Sequence, residues 1–284
     1  MRVGITSPVV TALPGFHSDW ERSAGIEDLA RIAEAADRLG FDHLTCSEHV
    51  AVPVEIAEQR GGTYWDPLAT LSFLAARTSR IRLVTQVLVL GYHHPLEIAK
   101  RFGTLDLLSG GRLVLGLGVG SIEAEFDLLG APFTGRGAIA DDALGALRAS
   151  LGQRVPSYDG PHFRFSGLVV EPHAAQARVP FWIGGYTPRS LRRAREHGDG
   201  WVPFGLPHDR LRAMLDAAPL PDDFEVVLGA GRPLDPIGEP DRTRRAVERT
   251  RAAGATLVNV HIAATSADHY VEQLEALAKL EEDR

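Results

Sequence analysis

Short runs rich in β-branched residues alternate with longer segments of helical periodicity along the whole chain. Val3–Val10 has the composition of a buried strand, whereas Ile26–Leu39 carries apolar residues at helical spacing and stops at Gly40, a typical C-cap. Asp66 and Pro67 suit the N-cap and the first position of a later helix. The pattern predicts eight strands: Val3–Val10, Phe41–His49, Ile81–Leu90, Arg112–Gly120, Phe181–Gly185, Trp201–Phe204, Glu225–Gly229 and Thr256–Ala263. It predicts helices at Ile26–Leu39, Asp66–Thr78, Pro95–Leu108, Ile122–Leu129, Ala138–Leu151, Leu191–His197, His208–Leu215, Arg242–Ala253 and Tyr270–Leu280.

Strict alternation of eight strands with helices predicts one closed parallel (β/α)8 TIM barrel that spans residues 1–284. The length of 284 residues is typical of this fold. An open doubly wound sheet is the alternative, but it needs a topological switch and usually has fewer strands. No linker rich in Pro, Gly or Ser divides the chain.

One segment departs from the alternation. Pro156–Val170 contains Asp159-Gly160 between strand-like runs, followed by Phe163 and Phe165 at alternating positions. Because Asp-Gly between such runs is a hairpin signal, we predict a β-hairpin inserted between helix four (Ala138–Leu151) and strand five. It would either close an end or edge of the barrel or form a wall of the active site.

Composition and charge narrow the function classes. The net charge of −7 argues against a nucleic-acid or membrane-surface partner. With Cys46 as the single cysteine no internal disulfide can form, and no apolar run is long enough for a membrane span. We therefore expect a cytoplasmic protein that acts on a small molecule.

In a barrel of this kind, catalytic groups come from the C-terminal ends of the strands. Alternation along strand two points His43, Thr45, Ser47 and His49 inward, because Leu44 and Cys46 suit the face that meets the helices. At the barrel mouth His49 would act as an acid, a base or a hydrogen-bond donor, or it would only bond a neighbouring loop.

Glycines mark two further strand ends. On strand four Gly116, Gly118 and Gly120 share the face opposite the leucines, which leaves room for a flat ligand or for a bulky neighbouring side chain. After strand five, Gly184-Gly185 precedes a helix start, so the backbone N–H groups there could bind an anion. The alternative is a plain strand-to-helix turn with Thr187 as the N-cap.

Metal and nucleotide motifs are missing from the sequence. Strand one offers Thr6-Ser7-Pro8 and no histidine pair, and the adjacent His93 and His94 would diverge on a strand. There is no Gly-x-Ser-x-Gly elbow, no P-loop and no dinucleotide fingerprint. We therefore predict no metal site.

Several segments together resemble the bacterial luciferase-like monooxygenase superfamily, and most closely its branch of oxidoreductases that use the deazaflavin coenzyme F420. The most specific is the Leu-Asp-Leu-Leu-Ser-Gly-Gly-Arg run at positions 105–112. The resemblance is also carried by Arg80–Leu90, Gly116–Gly120, Phe181–Gly185 and Gly198–Trp201, and it extends from strand one to about Phe204.

The resemblance implies roles for particular residues. A bulge in strand three would contain a cis peptide at Gln86–Val87 and back the central ring of the cofactor. The Gly184-Gly185-Tyr186-Thr187 turn would hold the cofactor phosphate. Ser47, Gly118 and Gly120 would border the cofactor, and His49 would lie beside its ring and the substrate as the catalytic residue. One departure is Ser121, which stands where some members have an acid, while Glu123 and Glu125 lie further into the helix.

Three functions follow from the resemblance. The leading hypothesis is hydride transfer between coenzyme F420 and an organic substrate. The alternatives are an FMN-dependent monooxygenase supplied by a separate reductase, and a barrel that binds flavin without turnover. The resemblance also implies a homodimer, with the helices Asp66–Thr78 and Pro95–Leu108 as candidates for the contact.

Overall fold

Parallel strands close into a ring in the computed structural model, which describes residues 1–217 and 219–283. The strands are β1 (Val3–Thr6), β2 (His43–Cys46), β3 (Arg82–Thr85), β4 (Leu88–Val89), β5 (Leu113–Gly118), β6 (Tyr158–Asp159), β7 (Arg164–Phe165), β8 (Phe181–Gly184), β9 (Gly200–Val202), β10 (Glu225–Gly229) and β11 (Leu257–Val260). The α-helices are α1 (Ile26–Leu39), α2 (Val54–Arg60), α3 (Pro67–Arg77), α4 (Pro95–Ser109), α5 (Glu123–Leu128), α6 (Arg136–Ser150), α7 (Pro188–His197), α8 (His208–Asp216), α9 (Pro240–Ala252) and α10 (Ala267–Glu282).

The pairing of the strands confirms the predicted (β/α)8 barrel. The order β3-β2-β1-β11-β10-β9-β8-β5 closes on itself because β3 also pairs with β5. All eight ring strands are parallel. An open doubly wound sheet is therefore excluded.

Predicted strand three is interrupted by a bulge. Val84 pairs with Val114 and Leu88 pairs with Leu117, so strand three advances four residues while β5 advances three. The Gln86–Val87 peptide within this bulge is cis, as expected. β4 continues strand three beyond the bulge, beside the end of β5.

The apolar interior has two parts, one inside the barrel and one between the strands and the helices. The inward residues of six different strands form a small cluster in the lumen: Val84, Val114, Trp182, Val202, Val227 and Leu257. A larger core lies between the strands and the helices and includes Ile5, Leu44 and Leu115. Below the lumen, Arg82 lies between the carboxylates of Asp42 and Glu225. Because these side chains pack the lumen, we expect a ligand at the C-terminal mouth, where barrels of this kind have their active sites.

The predicted hairpin is confirmed. β6 and β7 pair antiparallel between α6 and β8. Asp142 on α6 accepts hydrogen bonds from the Tyr158 hydroxyl (2.6 Å) and from the backbone N–H groups of His162 and Phe163 (both 2.8 Å). The hairpin therefore lies against the outer helix layer.

Helix boundaries follow the capping signals closely. Asp66 accepts a hydrogen bond from Ala69 N (2.7 Å) and caps α3, and Gly40 is the left-handed C-cap of α1. The short helix α2 was not predicted, because it has seven residues and buries none of them. In the part of the chain that the structure describes, no helix has both the length and the apolar character needed to cross a bilayer.

Candidate active site

Two loops meet over one side of the barrel mouth. Trp65 N donates to Val10 O (3.0 Å), Ala12 N donates to Thr63 O (3.4 Å), and Thr11 forms an antiparallel bridge with Tyr64. The loop after β1 and the segment between α2 and α3 therefore support each other. Their pairing holds the ring of Tyr64 edge-on to His49, with 4.5 Å between the ring centroids.

His49 is paired with a buried carboxylate. Its Nδ1 lies 2.7 Å from Glu125 Oε2, while Glu125 Oε1 accepts hydrogen bonds from Val50 N (2.5 Å) and Ala51 N (3.3 Å). Glu125 is 1% exposed, whereas the His49 side chain keeps 19% of its surface accessible. Nδ1 faces the protein interior, and Nε2 is the ring nitrogen left available for a ligand.

The charge state of Glu125 determines which ring nitrogen of His49 donates the hydrogen bond between them. Burial by itself would raise the pKa of Glu125, but hydrogen bonds from His49, the Tyr92 hydroxyl (2.7 Å) and Val50 N outweigh it. The pKa of Glu125 therefore lies below its usual value, and the group is a carboxylate near neutral pH. Because a carboxylate only accepts hydrogen bonds, Nδ1 of His49 carries a proton and donates the hydrogen bond to Glu125 Oε2.

Sequence reasoning missed Glu125 as the partner of His49. The available signal was its position on α5, because Ile122, Glu125 and Phe126 follow helical spacing and form one buried face. An acid on such an apolar stripe requires partners. Ser121, where an acid was considered, is exposed, and its hydroxyl accepts a hydrogen bond from Arg60 (3.1 Å).

Gly120 provides space for the anchor of α5. A Cβ atom at Gly120 or at Gly91 would lie 2.5 Å from the ring of Phe126. Phe126 also meets the ring of Tyr92 edge-on, at 5.0 Å between centroids. The slot between the two glycines therefore holds the residue next to Glu125, and it keeps this carboxylate in reach of His49.

Val87 protrudes between two strand ends. A Cβ atom at Gly118 would lie 2.6 Å from Val87 Cγ2, and one at Gly184 would lie 2.9 Å from Val87 Cγ1. The glycines of β5 and β8 thus accommodate the Val87 side chain, and Gly116 likewise makes room for the Thr85 carbonyl group. Other atoms of the protein therefore occupy the space that a Cβ atom on these glycines would take. Direct contact of Gly118 or Gly120 with a cofactor stays a prediction.

A network of hydrogen bonds holds Gln86, the first residue of the cis peptide. The Ser47 hydroxyl donates to Gln86 O (2.8 Å), and Asn259 Nδ2 donates to both Gln86 Oε1 and Thr6 Oγ1 (3.0 Å each). Residues at the ends of β2 and β11 therefore hold Gln86, and Thr6 at the end of β1 holds Asn259 in turn. Asn259 was not singled out from the sequence, although its alternation with Leu257 on β11 puts it on the inward face.

The turn after β8 combines a helix cap with a backbone N–H that has no acceptor in the described residues. Thr187 Oγ1 accepts from Ser190 N (3.2 Å), which makes Thr187 the N-cap of α7. Gly185 has φ +121°, a region that favours glycine, and Tyr186 is 59% exposed. Between β8 and α7 the Tyr186 N–H has no acceptor among the residues that the structure describes. Thr187 is therefore the N-cap, as one of the two interpretations of the sequence proposed. The Tyr186 N–H remains beside the helix N-terminus, a position that favours an anion.

His261 follows β11, which is separated in the ring only by β1 from β2, the strand that His49 follows. The ring of His261 packs against Phe16 of the loop after β1, with 4.7 Å between the ring centroids. Burial lowers the pKa of His261 to about 4, so the ring is neutral near pH 7. The mouth therefore contains two histidines of different character, of which only His49 has a carboxylate partner in the described part of the chain.

Comparison with known proteins agrees with this architecture. The chain matches the luciferase-like monooxygenase family over residues 7–219. An uncharacterized protein of Mycobacterium tuberculosis is 30% identical over 249 residues, which cover 75% of this chain and 88% of that protein. The monooxygenase RslO1 from Streptomyces bottropensis superposes with a TM-score of 0.80 at 22% identity, over 100% of this chain and 99% of its own. The coenzyme F420-dependent tetrahydromethanopterin reductase from Methanopyrus kandleri superposes with a TM-score of 0.73 at 18% identity, over 98% and 97% of the two chains. The chain therefore belongs to the luciferase-like monooxygenase family.

Proposed function

We propose that this protein is an oxidoreductase that transfers a hydride between coenzyme F420 and a small organic substrate, with His49 as the catalytic proton donor or acceptor. The observation that carries the proposal is the buried Glu125, which holds His49 by Nδ1 and leaves Nε2 at the mouth. Hydride transfer to or from a carbon that bears oxygen needs a proton moved at that oxygen. A histidine held by a carboxylate is suited to this task.

The residues at the mouth fit a cofactor with a flat ring and a phosphate. Val87 presents an apolar side chain where three strand ends meet, which suits one face of a ring. In the turn of Gly184, Gly185, Tyr186 and Thr187, the Tyr186 N–H is left beside the N-terminus of α7, and Arg189 follows on the first turn of that helix. This set of donors suits a phosphate group.

Each residue then has a defined task. When bound, the deazaflavin would supply the carbon that gives or accepts the hydride. His49 Nε2 would donate a proton to the substrate oxygen during reduction and accept it during oxidation. Glu125 would stabilise the positive charge on the imidazole and keep the ring in one orientation. The paired loops at Thr11 and Tyr64 would limit the access of water to the site.

Titration of the purified protein with F420 and, separately, with FMN tests the choice of cofactor. We expect F420 to bind, observed as a change in its fluorescence, and FMN to bind more weakly. Tight binding of FMN without binding of F420 would contradict the proposal. Binding of neither cofactor would contradict any redox role.

The second candidate is an FMN-dependent monooxygenase that receives reduced flavin from a separate reductase. The pairing of the two loops over the mouth favours it, because an oxygenated flavin must be sheltered from water. The same ring surface and the same phosphate turn would serve FMN. Oxygen-dependent conversion of a substrate, obtained only when reduced FMN is supplied, would favour this candidate over the first.

A further inference from the structure

One carboxylate oxygen of Glu125 is shared by two donors. Oε2 accepts hydrogen bonds from His49 Nδ1 and from the Tyr92 hydroxyl, each at 2.7 Å. Oε1 accepts from the backbone N–H groups of Val50 and Ala51. The carboxylate is therefore fully hydrogen-bonded, and Tyr92 is the one side chain besides His49 that donates to it in the described residues.

The surroundings of Tyr92 keep its hydroxyl protonated, so that it donates a hydrogen bond to Glu125. It ends a short 3-10 turn that follows β4, and its ring packs edge-on against Phe126. Burial and the neighbouring charge of Glu125 raise the pKa of the Tyr92 hydroxyl well above its usual value. The hydroxyl keeps its proton at every working pH, so its hydrogen bond favours the ionised form of Glu125.

We propose that Tyr92 is a positioning residue that keeps Glu125 ionised and in register with His49 as the pH falls. The role in catalysis rests on the function proposed above for His49. Burial raises the pKa of Glu125, and the hydrogen bond from the Tyr92 hydroxyl is one of the interactions that lower it. Without the hydroxyl this interaction would be lost. Glu125 would take up a proton at higher pH, and the His49–Glu125 pair would be lost earlier on acidification.

Other titratable groups surround the carboxylate without replacing this contact. His49 and Tyr92 donate to the carboxylate, and Tyr64 is near enough for the charge of Glu125 to raise its pKa. Glu48 lies near Tyr92, and Arg60 lies near Tyr64. Glu48 is engaged by Val89 N and His93 Nε2, at 2.7 Å each. The Tyr64 hydroxyl donates to Arg60 O (2.9 Å) and does not contact Glu125. Tyr64 therefore offers a matched control for the loss of a hydroxyl beside His49.

The test follows the His49 Nδ1–H resonance by NMR in the protein without cofactor, as the pH is lowered, in the wild type, Tyr92→Phe and Tyr64→Phe. We expect Tyr92→Phe to lose the hydrogen-bonded resonance at a pH about one unit higher than the wild type. Tyr64→Phe should behave like the wild type. Loss at the same pH in the wild type and Tyr92→Phe would overturn the proposal, as would an equal shift in Tyr64→Phe.

A second measurement connects this contact to turnover. In the enzyme loaded with cofactor, the acid limb of the pH–rate profile should move to higher pH in Tyr92→Phe by the same amount as the resonance. An unchanged acid limb would contradict a role in catalysis. Failure of the protein to bind F420 would refute the proposed function but would leave the NMR comparison valid, because that comparison needs no cofactor.

Discussion

Glu125 and His49 stand 76 residues apart in the chain, and the function proposed for the mouth depends on their contact. Sequence reasoning identified His49 because strand alternation and a strand end mark it. Its partner could not be identified in the same way, since the pairing needs α5 to be docked by Phe126 between Gly91 and Gly120. Residues with a local signal were therefore predictable, and those defined by packing were not.

Replacement of Glu125 by Gln tests the dyad directly. The amide would keep a similar shape but would not balance the charge of a protonated imidazole, so the rate of hydride transfer should fall by roughly 100-fold. Glu123→Gln is the matched control, because Glu123 is exposed on the same helix. Both rates are measured from the absorbance of F420. Equal rates in the two variants would remove Glu125 from the mechanism.

His261 should make the protein less stable on mild acidification. Its pKa is near 6.5 in the unfolded chain and about 4 in the folded protein, so the unfolded chain binds the proton first. Its contribution to stability is complete above pH 6.5 and is lost as the pH falls toward 4, with a total of about 3 kcal/mol.

Urea unfolding at several pH values measures this effect. His261→Gln should show a shallower fall of the unfolding free energy between pH 6.5 and 4 than the wild type. His162→Gln serves as the control, because His162 is exposed. If His261→Gln and the wild type lose stability in parallel, the histidine is not held neutral by the fold.

At the level of elements, the strand and helix pattern predicted the ring and the hairpin, whereas the cis peptide at Gln86–Val87 was implied by the family resemblance. Several predicted strands were too long, because apolar residues continue past the end of pairing: strand one was predicted to Val10 but ends at Thr6. Strand seven, by contrast, has the predicted bounds Glu225–Gly229. The residues beyond the C-terminal strand ends form the loops of the mouth, where pairing stops. The alternation of apolar and polar residues along the sequence does not show at which residue the pairing ends.

Gly120 tests how α5 is anchored. Gly120→Ala would meet both a left-handed backbone (φ +80°) and the ring of Phe126, and it should cost about 3 kcal/mol of stability. Gly130 has a similar φ of +67° but open space around its Cβ position, so Gly130→Ala should cost about 1 kcal/mol. Thermal unfolding measures both. A smaller cost at Gly120 than at Gly130 would show that Phe126 does not need the slot.

At the scale of the whole molecule, we propose a homodimer formed through α3 and α4. Leu107 and Leu108 on α4 are 49% and 69% exposed, and Ala69 and Ala76 on α3 are also exposed. Leu108→Glu would place a charge on this surface and should shift the molar mass measured by light scattering from dimer to monomer. A monomeric wild type would contradict the proposal.

The central claim is that the barrel mouth performs hydride transfer with F420 and that His49 moves the proton. The most direct test is a single-turnover experiment without oxygen, in which the complex with reduced F420 is mixed with a panel of aldehydes, ketones and activated alkenes. We predict that at least one compound oxidises F420 and that His49→Ala slows this step by roughly 100-fold or more. Failure of every compound to oxidise F420, or a reaction of His49→Ala as fast as that of the wild type, would contradict this function of the mouth.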